Sequence, residues 1–186
     1  AVPRLAGILG RWPDATAALE LAIDAVPSGD LATRVGLLTQ LAGYLDEQQD
    51  DADASIAAYR RLLDLDGTNP DTSRLATAAL ARLFEGKRAY ADLRDVLRRR
   101  AAWIDAPLER RTLLGRIAEV EETQLADRGA AIQTWRDIIA EAPDDAAALE
   151  ALERLLTVER RWPDLIEHEG QRLDEHPPAQ ARTVLS

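Results

Sequence analysis

Three stretches of this 186-residue chain carry residue types that can do chemistry. Asp64-Leu65-Asp66-Gly67-Thr68 sets two carboxylates two residues apart, ahead of a glycine and a hydroxyl. That order suits a nucleophilic carboxylate with an acid/base partner beside it. Asp46 to Asp53 is acidic enough to suggest a calcium loop. Glu167-His168-Glu169, with His176 further on, supplies metal-ligand types.

Each stretch has a plainer reading. The Asp64–Thr68 letters match the first motif of haloacid-dehalogenase-type phosphatases, whose chemistry needs a strand leading into the loop and a parallel sheet around it. Here the preceding Ile56 to Leu65 has helical spacing, and its copy, Ile132 to Glu141, lacks the aspartates. A helix end with turn residues is expected. The acidic stretch lacks the sixth-position glycine and twelfth-position glutamate of a calcium loop counted from Asp51. Successive residues such as Glu167, His168 and Glu169 fan around a helix and cannot converge on one ion. His168 is expected to pair with Asp164, and His176 to sit near a helix C-terminus, where positive charge is favoured. No glycine-rich phosphate loop or serine elbow occurs. No catalytic, cofactor-binding or metal-binding residue is therefore assigned, and no cofactor is expected.

Composition narrows the class. Hydrophobic residues make up 46% of the chain and charged residues 30%, which describes a folded protein. Ala, Leu, Glu and Arg favour helix. There is no cysteine, so disulfides and thiolate sites are excluded, while the compartment stays open. No apolar run is long enough to span a membrane. The formal charge of −10 opposes binding to nucleic acid or anionic lipid. Charge is uneven: residues 87–116 carry +5 and residues 117–153 carry −8, with Arg98-Arg99-Arg100 the densest basic spot. A solvated helix face accounts for that spot. Lys87 is the only lysine among 23 basic residues, a bias that points to GC-rich coding.

The elements that must position any site come from an internal repeat. Arg11-Trp12-Pro13-Asp14 returns letter for letter as Arg161-Trp162-Pro163-Asp164, 150 residues later. A second set of matches lies 76 residues apart: Arg34, Leu37, Leu38, Leu41 and Ala42 fall on Arg110, Leu113, Leu114, Ile117 and Ala118. In the same register Ile56, Tyr59, Arg60, Leu62 and Leu63 fall on Ile132, Trp135, Arg136, Ile138 and Ile139. Beyond Leu65 the spacing drops to 72, pairing Tyr90 with Trp162. Gly67-Thr68-Asn69-Pro70 is expected to absorb the four-residue slip as a longer connection. Apolar residues recur at i, i+3, i+4 and i+7, as on one buried helical face.

The pattern predicts ten to eleven helices, near 1–9, 14–26, 30–47, 51–65, 71–85, 89–104, 107–125, 128–141, 144–158, 163–176 and 178–186. Grouped as hairpins these are 1–26, 30–65, 71–104, 107–141 and 144–176, with the next beginning at 178–186. They form one continuous segment. Both ends read as cut within a helix, which implies a longer parent chain.

Ala131-Ile132-x-x-Trp135-x-x-Ile138-Ile139-x-x-x-Pro143 resembles the second helix of a tetratricopeptide (TPR) motif, closing proline included. Ser55-Ile56-x-x-Tyr59-x-x-Leu62-Leu63-x-Leu65-Asp66 is similar to the same helix, with Gly67 at the proline position. The other hairpins are degenerate; Glu153 and Leu165 stand where small residues belong. The resemblance implies an all-α, right-handed α-α superhelix of stacked hairpins, a TPR-like solenoid of bacterial type. It further implies a scaffold for a protein or peptide partner rather than an enzyme. First-helix side chains Arg82, Glu119, Glu122 and Arg154 would then face the binding groove. Trp135 and Tyr59 would wedge between hairpins. A reading from another class is a regulatory or sensor region controlling a catalytic or DNA-binding domain elsewhere in the parent chain.

Overall fold

The computed structural model describes residues 12–47 and 51–175. The helices expected at 1–9 and 178–186, and His176, lie outside these residues. Within them nine helices run in order: α1 Trp12–Ala25, α2 Leu31–Glu47, α3 Ala52–Asp66, α4 Pro70–Gly86, α5 Tyr90–Ala101, α6 Pro107–Thr123, α7 Arg128–Glu141, α8 Ala146–Val158 and α9 Trp162–Glu175. No strand occurs among the described residues. Each helix packs on its sequence neighbour within two compact units, Ala1–Asp105 and Ala106–Ser186. Among the described residues the fold is all-α, with successive helices paired as hairpins within each unit. The second unit begins where the sequence repeat begins, so α2–α5 form a first copy and α6–α9 a second.

Local chemistry explains the boundaries. Asp51 caps α3 by accepting from the Ala54 N–H at 3.0 Å, and Asp127, 76 residues later, caps α7 through Ala130 at 2.9 Å. Such caps contribute about 1 kcal/mol each by satisfying a first-turn donor. Asp30 caps α2 through Thr33, whose side-chain and backbone hydrogen bonds hold its carboxyl below the ordinary range. Proline opens α4 and α6, where no N–H partner is needed.

The four-residue slip is resolved differently from expectation. α4 has 17 residues and α8 has 13, while both end at matched positions, Gly86 and Val158. The surplus is one extra turn at the start of α4, not a longer connection. A turn is about 3.6 residues, so adding four leaves every downstream side chain close to its original face. Asn69 starts that turn by capping both Asp71 and Thr72 N–H groups.

The turns after α4 and α8 repeat as well. Arg88 and Arg160 adopt φ of 56° and 55°. Behind them the Ala89 N–H donates to Phe84 and the Arg161 N–H to Leu156, each at 2.9 Å. This six-to-one closure ordinarily uses glycine, so an arginine there carries strain.

The core is aliphatic: Leu41, Leu62, Leu80, Leu93 and Leu97 in the first unit, Ile117, Ile132, Ile138, Leu155 and Leu156 in the second. Tyr59 and Trp135 are buried, 7% and 9% exposed. The Trp135 ring lies over Gly115 of α6, where an added Cβ would stand 3.5 Å from it. Trp135 thus packs against the first helix of its own hairpin.

Candidate partner-binding face

The first helices of the hairpins, α2 and α4 in one unit and α6 and α8 in the other, carry all four residues expected at the groove. Arg82 of α4 donates to Asp46 of α2. Arg154 of α8 donates to the Glu122 carboxylate of α6 through Nη1 and Nη2, at 2.5 and 2.7 Å. Asp46 and Glu122 are matched positions of the repeat, as are Arg82 and Arg154. The same ion pair therefore links consecutive first helices in each copy. The acids are sheltered, 12% and 18% exposed, while the arginines are 62% and 53% exposed.

Electrostatics follow from that geometry. The Arg154 hydrogen bond holds the Glu122 carboxyl below its ordinary value against a partial desolvation penalty, and Arg154 is pushed up in return. Asp46 raises Arg82 by the same means. Burial pushes the Tyr59 phenol up, and the Asp46 charge pushes it further. Glu119 is exposed one turn before Thr123, whose hydroxyl donates to the Glu119 carbonyl at 2.6 Å. Beside Arg154 the α8 surface holds a hollow of ≈ 690 Å³ bordered by Ala147, Ala151 and Val158.

A second repeated pair ties the other helices together. Arg60 of α3 meets Asp92 of α5 at 2.5 Å, and Arg136 of α7 meets Asp164 of α9 at 3.7 Å. Such exposed pairs are worth about 0.2–1 kcal/mol each, far less than the buried leucines. They align the helices; packing holds them.

The remaining chemistry-bearing residues are absorbed into local structure. Asp64 and Asp66 lie in the last turns of α3, where Asp66 accepts from the Thr72 hydroxyl at 2.7 Å. In the acidic stretch Asp46 binds Arg82, Asp51 caps a helix, and Asp53 meets Lys87 at 2.8 Å. Asp164 is engaged by Arg161 at 2.5 Å as well as by Arg136. No pair between Asp164 and His168 forms, and the His168 Nε2 is buried without a hydrogen-bond partner among the described residues. His168 borders a cleft of ≈ 380 Å³ with Ile139 and Leu152. No group of three or more metal-ligating side chains stands together among the described residues. No helix among them is long and apolar enough to cross a membrane.

The sequence placed Arg82, Glu122 and Arg154 on first helices but gave neither Asp46 nor the pairing, because the paired residues lie 32 to 36 positions apart. The repeat register held the signal, since Asp46 and Glu122 share a position.

No family model and no curated protein sequence matches the chain. Among solved structures it is similar to the nearly identical TPR-like repeats of a kinesin light chain from Podosopora anserina, with 12% identity, a TM-score of 0.48, and coverage of 94% of this chain and 93% of that one. It is also similar to MamA, with 14% identity, a TM-score of 0.44, and coverage of 97% and 95%.

Proposed function

We propose that the chain is a binding scaffold whose first-helix face takes a protein or peptide partner, with Arg82, Glu119, Glu122 and Arg154 in contact. The supporting observation is the matched display of two half-satisfied arginines. Each guanidinium offers five N–H donors in a fixed fork. Asp46 and Glu122 take part of each fork, while the two arginine side chains stay more than half exposed at corresponding positions in both copies. Peptide carbonyls or carboxylates suit such donors. Glu119 adds an acceptor on the same helix as Glu122.

The ion pairs also shape the test. Reversing either arginine to glutamate would set like charges against Asp46 or Glu122 and disturb the helices themselves. Arg82→Ala with Arg154→Ala removes the donors with a smaller structural penalty. Peptides selected from a random library on the unmodified chain should lose about tenfold or more in affinity for this double variant, roughly 1.4 kcal/mol. Affinity that is unchanged while the helical signal is retained would contradict the reading.

A further inference from the structure

Two copies that share a sequence pattern create a pairing problem. α3 and α7 match along their buried faces, so either could in principle pack on α2 or on α6. The common ion pairs do not discriminate, because Arg60 and Arg136 meet the same kind of acid at matched positions. One buried contact differs in polarity between the copies. In the second copy Glu121 of α6 and Thr134 of α7 are both 0% exposed, and the Thr134 hydroxyl donates to the Glu121 carboxyl at 2.7 Å. In the first copy the same two positions hold Leu45 and Ala58, both buried. A carboxyl and its hydroxyl partner have been exchanged together for two apolar side chains.

A second difference lies at the hairpin junctions. Lys87 and Glu159 occupy matched positions with opposite charge. Each finds its complement on the first turn of the preceding second helix: Asp53 at 2.8 Å and Arg128 at 2.9 Å.

We infer that these residues select the native helix partners and oppose exchange of α3 and α7, either within one chain or between two molecules of it. If α7 took the place of α3, Thr134 would face Leu45 and Arg128 would face Lys87. If α3 took the place of α7, Ala58 would leave the Glu121 carboxyl without its hydroxyl partner, and Asp53 would face Glu159. The buried contact dominates. An exposed like-charge encounter is weak, whereas a buried acid stripped of a hydrogen bond is costly. Copy-specific polar contacts of this kind fix register and partner choice in other helical assemblies.

The single variant T134A reproduces, inside the native hairpin, the environment that Glu121 would meet against α3. It should lower the folding equilibrium constant roughly ten- to hundredfold in urea melts of the full chain. The double variant E121L/T134A, which installs the first-copy residues, should recover a measurable part of that loss. T134A as stable as the unmodified chain, or a double variant as impaired as T134A, would overturn the inference. Selection is read separately. Two mass-distinguished preparations are unfolded, mixed and refolded, and mixed-chain species are counted by native mass spectrometry. E121L/T134A combined with R128D and E159K should raise the mixed-chain fraction several-fold over the unmodified chain, and an equal fraction would overturn the selective role.

Discussion

The two copies solve one packing problem with different residues. The first copy buries Leu45 and Ala58 and seats Tyr59 where the second seats Trp135. The second copy places a hydrogen-bonded Glu121–Thr134 pair in the same layer and clears room for its larger ring with Gly115, whose counterpart is Thr39. What stays constant is the external frame: the acid–arginine pair between first helices, the arginine–acid pair between second helices, and the left-handed arginine after α4 and α8. The core is free to vary in correlated pairs, while the contacts that align neighbouring helices are held.

Removing the Trp135 ring tests this contrast most severely. Trp135→Ala should cost about 3–5 kcal/mol in urea melts, as large core truncations do. Tyr59→Ala should cost less, because the smaller ring leaves a smaller cavity. Equal costs would erase the distinction between the layers. A swap at the same contact comes next. Gly115→Thr, which copies Thr39, overpacks Trp135 and should cost about 1–3 kcal/mol. Adding Trp135→Tyr should recover most of that loss in a double-mutant cycle; independent costs would show that the two positions are not a pair. Gly67→Ala belongs to the same range, since a Cβ there would stand 2.2 Å from the Leu63 carbonyl oxygen.

Smaller effects probe the constant frame. Arg160→Gly and Arg88→Gly should each stabilise the chain by about 0.5–1 kcal/mol by relieving a left-handed backbone, with equal gains at the two turns. The coupling between Glu122 and Arg154 should be smaller still, about 0.2–1 kcal/mol at neutral pH. Its pH dependence has a defined sign. The folded state holds the Glu122 carboxyl below its ordinary value, so the contribution is complete above the unfolded carboxyl value, near 4.3, and disappears as pH falls through the depressed folded value. Cycles with Glu122→Gln and Arg154→Ala at neutral and strongly acidic pH check it. A coupling that persists in strong acid would mean that a charged carboxylate is not its source.

Much of the architecture was legible in the sequence because hairpin repeats leave a strong periodic trace. The 76-residue register located both copies, and the drop to 72 located the slip after α3. The slip's form was not legible, since four extra residues fit equally into a loop or a helical turn until Asn69 is seen capping α4. Glu121 shows another limit. Counted by composition it belongs to an acidic stretch, and nothing local marks it as buried. Only its alignment with Leu45 betrays a core position. At the candidate face Arg82, Glu119, Glu122 and Arg154 were proposed from helical phase, whereas Asp46 was read as part of a calcium-like acidic run. Its true partner, Arg82, is supplied by a helix 36 residues away.

The equivalence of the two copies can be measured directly, because the chain has no cysteine to interfere with labelling. Spin labels are placed on cysteines at Gln40 and Ala78 in one variant, and at the matched exposed positions Arg116 and Glu150 in another. Equivalent copies predict the same mean label-to-label distance and the same width of distribution across α2–α4 and α6–α8. A difference as large as a helix diameter, about 10 Å, would contradict the repeat on which the binding face is built.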